Sequence, residues 1–100
     1  MNTNKNWTTP DGLHDGGCSY GPGYCITWQR GPLNEGDGRN GAFLLDVLGA
    51  CMVQLEYYQN SRFECEENRQ ALLSLTETIN HLQSRRDRRA QEGTLGTTKV

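Results

Sequence analysis

The stretch Leu44-Leu45-Asp46-Val47-Leu48-Gly49-Ala50-Cys51-Met52-Val53-Gln54-Leu55-Glu56-Tyr57-Tyr58 decides how the whole chain is read. Leu44, Val47, Leu48, Cys51, Leu55 and Tyr58 recur at helical spacing, which gathers them into one apolar stripe. The spacing predicts a helix over about 42–60. Asn60-Ser61 interrupts the pattern, and Ser61 can cap a second helix because its hydroxyl can accept an N–H left unpaired in the first turn. Leu72, Leu75, Ile79 and Leu82 form the stripe of that second helix, Asn68 lies one turn before it, and Gly93 ends it. Helices joined by so short a link run antiparallel, so residues 42–93 are expected to form a two-helix hairpin.

Working outward, residues 31–41 are a Gly-rich connector. Residues 16–30 read as a small β-hairpin: two short runs flank Gly21-Pro22-Gly23, and Tyr24, Ile26 and Trp28 alternate with smaller or more polar neighbours. Residues 1–15 are polar, contain Pro10 and Gly12 and show no period, so a loosely ordered arm is expected there. Residues 94–100 form a short tail. The fold class expected is mainly α, an antiparallel two-helix hairpin with a small N-terminal β-hairpin.

One hundred residues make one domain, and 34% hydrophobic residues with a mean hydropathy of −0.77 leave little material for a core. A lone monomer would be marginal. Disulfides, a metal or a partner subunit usually compensate in chains this short, and the periodic helices point to the partner subunit. A homo-oligomer is therefore expected, a dimer or a hexamer. Its formal charge of −2 argues against general affinity for nucleic acid. Acidic residues Asp46, Glu56, Glu64, Glu66 and Glu67 lie mostly around the middle, whereas Arg85, Arg86, Arg88 and Arg89 place four cations within five residues. No apolar run is long enough for a bilayer, and Met1-Asn2-Thr3-Asn4-Lys5 leads into no hydrophobic leader, so a cytoplasmic protein without a membrane partner is expected. In that reducing compartment Cys18, Cys25, Cys51 and Cys65 are expected as thiols.

Several patterns invite chemistry. Gly36-Asp37-Gly38-Arg39-Asn40-Gly41 matches G-x-G-x-x-G, yet a dinucleotide fingerprint needs a second parallel strand that this chain has no residues to build, and a flexible connector is the better reading. Cys18, Cys25 and His14 lack the spacing of a metal knuckle, so packing cysteines are expected and no metal or cofactor is called for. Neither His14 nor His81 has a neighbour that makes it the base of a nucleophile, and no enzyme is expected. The arginine cluster reads either as a solvated helix end, favoured by the helix dipole, or as an anion site. Arg85, Arg86 and Arg89 continue the face of Leu75, Ile79 and Leu82, which suits a recess lined by guanidinium groups for bidentate phosphate contacts. Tyr57, Tyr58, Phe63 and Asn68 sit near the other end of the hairpin. There an aromatic ring can stack on a purine and an amide can read its edge. Phe63 is expected to close the turn, and Tyr58 to be free for stacking.

Ile26-Thr27-Trp28-Gln29-x-Gly31-Pro32, Asn40-Gly41-Ala42-Phe43, Leu55-Glu56-Tyr57-Tyr58-Gln59, Cys65-Glu66-Glu67-Asn68, Arg85-x-x-Arg88 and Gly93-Thr94 follow one another in an order that resembles the phage anti-Thoeris sponge family. The resemblance covers roughly residues 24–97. It implies a non-enzymatic protein that sequesters glycocyclic ADP-ribose, the signal made by a Toll/interleukin-receptor domain sensor. Some members, like the related anti-CBASS sponges, also take cyclic oligonucleotides at a separate site. Carried over by position, the resemblance implies ring stacking by Tyr58, a polar contact from Asn68 and phosphate contacts from Arg85 and Arg89. Tyr58 stands where a phenylalanine is expected, and Gly93-Thr94-Leu95-Gly96-Thr97 departs from the family's usual ending.

Helix geometry adds a constraint of its own. Asn68 and Arg85 lie about 25 Å apart at 1.5 Å per residue, longer than one such ligand. A pocket using both sets must therefore combine Tyr58 and Asn68 of one protomer with Arg85 and Arg89 of another, and a two-fold axis would make two such pockets. A rival reading is an oligomeric helical adaptor or nucleic-acid-binding protein that uses the arginine-rich helix end, with affinity falling steeply in salt.

Overall fold

The computed structural model describes residues 2–31, 33 and 38–93. They form three strands followed by two helices: β1 (Thr3–Thr8), β2 (His14–Gly21), β3 (Tyr24–Trp28), α1 (Leu44–Gln59) and α2 (Glu66–Gln91). The described residues up to Phe43, together with those from Ala90 on, belong to one compact unit, and Leu44–Arg89 form a second.

In the sheet unit the strands run antiparallel in the order β1-β2-β3. The expected hairpin is present. Cys18 pairs with Thr27 and Gly17 with Trp28, and Pro22 and Gly23 make the turn between the strands. Gly23 sits at φ +84°, the left-handed conformation that a turn with proline before it asks of its next residue. The loosely ordered arm expected over 1–15 is corrected. Thr3–Thr8 form a strand, with Thr3 opposite Tyr20 and Lys5 opposite Cys18, and a bulge interrupts the register between Asn6 and Thr8. All six residues of β1 are exposed, so no apolar alternation marked it. The strand is held by the backbone ladder and by polar side chains. Asn4 accepts from the Ser19 hydroxyl, which in turn accepts from Trp28 Nε1 at 2.7 Å, and Tyr24 donates to Asn2 at 2.6 Å.

Within the connector expected over 31–41, residues 32 and 34–37 lie outside the described residues, Gly36 and Asp37 of the G-x-G-x-x-G match among them. The described ends are bound together. Gln29, 8% exposed, donates through Nε2 to Gly38 O at 2.7 Å and accepts at Oε1 from the backbone N–H groups of Asn40 and Gly41. Asn40 bonds both ways to the Arg30 backbone, and Trp28 and Ala42 form a parallel bridge. Gly41 is required by close approach, because a Cβ there would lie 2.6 Å from the Trp28 carbonyl carbon.

In the helical unit α1 ends at Gln59, one residue before the expected boundary, and α2 begins at Glu66. The cap differs from expectation. Ser61 Oγ donates to Tyr58 O and accepts from Phe63 N within the turn, whereas Cys65 caps α2, its sulfur accepting the Asn68 N–H at 3.4 Å and its carbonyl the Arg69 N–H. Gln59 clamps the turn from the other side. Its carboxamide accepts from Cys65 N and donates to Cys65 O. Gly93, at φ +73°, follows the last turn of α2 as the spacing predicts.

Leu72, Leu75, Ile79 and Leu82 are half-buried, as their period requires. The stripe expected on α1 is rotated. Leu45, Leu48, Met52, Leu55 and Gln59 are half-buried together with Val47, while Leu44, Cys51 and Tyr58 are exposed. Both stripes are apolar, so period alone could not choose between them. Close backbone packing is confined to the strands, and no comparably close approach joins α1 to α2. No hydrophobic side chain among the described residues is fully buried. Among them no helix is long and apolar enough to cross a membrane, and all four cysteines are free thiols.

Candidate functional site

The four residues singled out in the sequence fall at the two ends of α2. Tyr58, in the last turn of α1, and Asn68, in the first turn of α2, are brought together around Phe63 of the intervening turn. Tyr58 meets the Phe63 ring edge-on at 6.3 Å and the Tyr57 ring at 6.1 Å. Arg62 places its guanidinium over Phe63, 5.0 Å from the ring centre. Tyr58 remains 41% exposed, so its ring is available to a flat partner. Asn68 Nδ2 donates to Phe63 O at 3.1 Å, which fixes the carboxamide, while Oδ1 makes no bond among the described residues. A fixed amide with a spare acceptor beside an accessible ring can read the donor edge of a heterocycle.

In the same first turn of α2, Glu66 bonds Arg69 through both carboxylate oxygens, and Gln70 donates to it as well. These bonds, with Arg69 the larger influence, hold the Glu66 carboxyl below its ordinary value and raise Arg69.

Arg85, Arg86, Arg88 and Arg89 lie near the C-terminal end of α2. Arg89 is 5% exposed and the other three are exposed. The expected recess lined by several guanidinium groups is thus reduced, in the single chain, to one buried arginine with exposed neighbours. Because α2 is one unbroken helix, Asn68 and Arg85 are separated by about 25 Å along it. The structure sets Tyr58 against the Phe63 ring and Asn68 against the Phe63 carbonyl, and it keeps both arginines at the far end of α2. Among the described residues no three His, Cys, Asp or Glu side chains converge in a way that could hold a metal.

Over 72 residues the chain is 38% identical to "Thoeris anti-defense 1" of Bacillus phage SBSphiJ7, a match that takes in 72% of this chain and 50% of that protein. The chain belongs to the anti-Thoeris family. It spans about half the length of this relative. No family model matches the chain. Within this anti-Thoeris chain, sequence reasoning missed the part played by Gln29 and Asn40. Their carboxamides bond to the backbone of Arg30, Gly38 and Asn40, which leaves no periodic trace, although both residues stand in the stretches that carry the resemblance.

Proposed function

We propose that this chain is a non-enzymatic phage sponge that binds a cyclic ADP-ribose-type immune signal, glycocyclic ADP-ribose, and so blocks Thoeris defence in the cytoplasm of the bacterial host. The observation that carries the reading is the 38% identity with a phage protein named for Thoeris anti-defence. The placement of Tyr58 beside Asn68, with Arg85 and Arg89 at the far end of α2, supports it. In this reading α1 and α2 run back along one another as a hairpin, and two chains pair so that the aromatic end of one meets the arginine end of the other. Tyr58 stacks on the base, Asn68 reads its edge, and Arg85 and Arg89 of the partner neutralise the diphosphate with charge-assisted bonds. Cyclic di- and trinucleotides are a second ligand class, taken at a separate site.

No bond is made or broken in this mechanism. Sequestration works by mass action, so the sponge must be tighter than the effector and in excess of the signal. A chain with no fully buried hydrophobic side chain among its described residues also gains from a subunit that covers its stripes.

The test is to incubate purified protein with a panel of cyclic nucleotides, remove free ligand, denature by heat and identify what is released by mass spectrometry. Release of unaltered ligand is expected. A hydrolysed product would overturn the non-enzymatic reading. By calorimetry, Arg85→Ala with Arg89→Ala should weaken binding by about a hundredfold or more, the loss of two charge-assisted contacts. Tyr58→Ala protomers mixed with Arg85→Ala/Arg89→Ala protomers should restore one intact pocket per mixed dimer. Unchanged affinity in the arginine variant sinks the site, and failure of the mixture to regain binding sinks the shared pocket.

A further inference from the structure

Asn40-Gly41 is the sequence most prone to succinimide chemistry, because glycine leaves the attacking amide nitrogen unhindered. In this fold both reacting groups are held. The electrophile, the Asn40 carboxamide, is bolted to the Arg30 peptide: Oδ1 accepts from Arg30 N at 2.8 Å and Nδ2 donates to Arg30 O at 2.9 Å. The nucleophile, Gly41 N, donates its proton to Gln29 Oε1 at 3.1 Å. Gln29 is itself buried and anchored on the opposite side by its bond to Gly38 O.

We propose that Asn40 is a conditional modification site: the Gln29 lock protects it from deamidation, and once the loop opens and Asn40 reacts, the lock cannot re-form. In the open loop Gly41 N, having lost its proton to solvent base, attacks Asn40 Cγ. The Cγ–Nδ2 bond breaks, ammonia leaves with a proton from solvent, and a succinimide remains. Water then adds to either ring carbonyl and gives aspartate or isoaspartate. Aspartate places a carboxylate oxygen where Nδ2 donated, against the Arg30 carbonyl, so a hydrogen bond becomes a repulsion. Isoaspartate inserts one methylene into the main chain between Asn40 and Gly41, which displaces Gly41 N from Gln29 Oε1 and Ala42 from its bridge with Trp28. Either product keeps the bonds among Gln29, Arg30, Asn40 and Gly41 from re-forming and makes the change irreversible.

The experiment follows ammonia loss at Asn40 by peptide mapping with isoaspartate labelling, in mildly alkaline buffer, for three samples: the full chain, a Gln29→Ala chain, and a peptide spanning Trp28–Phe43. The full chain is expected to react about a hundredfold more slowly than the peptide, the protection given by a loop closed by several net hydrogen bonds. Gln29→Ala should approach the peptide rate. A full chain that reacts as fast as the peptide overturns the proposal, as does a folded Gln29→Ala chain as slow as the parent. If Gln29→Ala does not fold, Asn40→Asp decides the second half. Hydrogen exchange of the Arg30 and Gly41 amides should then be faster than in the parent chain by about tenfold or more, and unchanged exchange refutes the one-way lock. None of these readouts depends on the ligand, so their failure is separable from failure of the sponge reading.

Discussion

Gly41→Ala is the substitution whose effect can be worked most directly from the fold. The new Cβ would lie 2.6 Å from Trp28 C, 2.7 Å from Trp28 O and 2.8 Å from Gln29 N, all backbone atoms that cannot rotate away. Ordinary contact is about 3.5–4.0 Å, so the segment has to withdraw by roughly 1 Å. That displacement breaks the bonds from Gln29 N to Ala42 O (2.9 Å), Ala42 N to Thr27 O (2.8 Å) and Gly41 N to Gln29 Oε1 (3.1 Å). At about 0.5–1.5 kcal/mol net for each, the sheet unit loses about 2–4 kcal/mol. Trp7 and Trp28, the two tryptophans of the chain, both belong to the sheet unit, so their fluorescence follows that unit during urea unfolding. With a slope of about 1 kcal/mol per molar, the fluorescence midpoint should fall by about 2 M or more. Far-ultraviolet circular dichroism, dominated by α1 and α2, should move less. A fluorescence midpoint within about 0.5 M of the parent would refute the close-approach argument.

Other expectations concern the helical unit. Cys65→Ala removes the cap of α2 and should lower its stability by about 1 kcal/mol in urea, whereas Cys65→Ser, with a stronger acceptor, should leave it equal or higher; the reverse order would discredit the sulfur cap. Gln59→Ala breaks both arms of the turn clamp and should lower stability by about 1–2 kcal/mol, and an unaffected unfolding curve would show the clamp to be incidental. The Glu66 carboxyl is held below its ordinary value chiefly by Arg69, so its contribution is complete above the unfolded value and is lost as pH falls through the lower folded one. A nuclear magnetic resonance titration should place Glu66 below the ordinary glutamate value, and Arg69→Ala should raise it toward that value, the Gln70 bond remaining; a Glu66 midpoint unmoved by that substitution would rule out the pairing.

What could be read from the amino-acid order was whatever burial imposes with a period. Leu72, Leu75, Ile79 and Leu82 lie where their spacing put them, and Gly93 follows the helix they belong to. On α1 the same reasoning was right for Val47, Leu48 and Leu55 and wrong for Leu44, Cys51 and Tyr58, which are as apolar as the Leu45 and Met52 that are half-buried in their place. β1 left no apolar trace, and its signal was the turn after it: Thr9, Pro10, Asp11 and Gly12 precede Leu13, whose N–H reaches the Thr9 hydroxyl and whose carbonyl accepts from Thr9 N. Side-chain to backbone locks such as those of Gln29, Asn40 and Gln59 depend on which carbonyl comes within reach, which only the folded chain specifies. For the candidate site, the nearness of Tyr58 and Asn68 and the remoteness of Arg85 followed from helix geometry, but the burial of Arg89 did not.

β1 has a further consequence for a protein that must be abundant to work as proposed. A strand at the border of a sheet offers unpaired N–H and C=O groups on which a second chain can polymerise. Here that border carries Asn4, Asn6 and the ammonium of Lys5, and its register is interrupted at Trp7. Hydrated amides, a charge that repels its own copy and a broken register all oppose strand-on-strand growth, so this chain can accumulate to high concentration with less risk of fibril formation than a flat apolar border would bring.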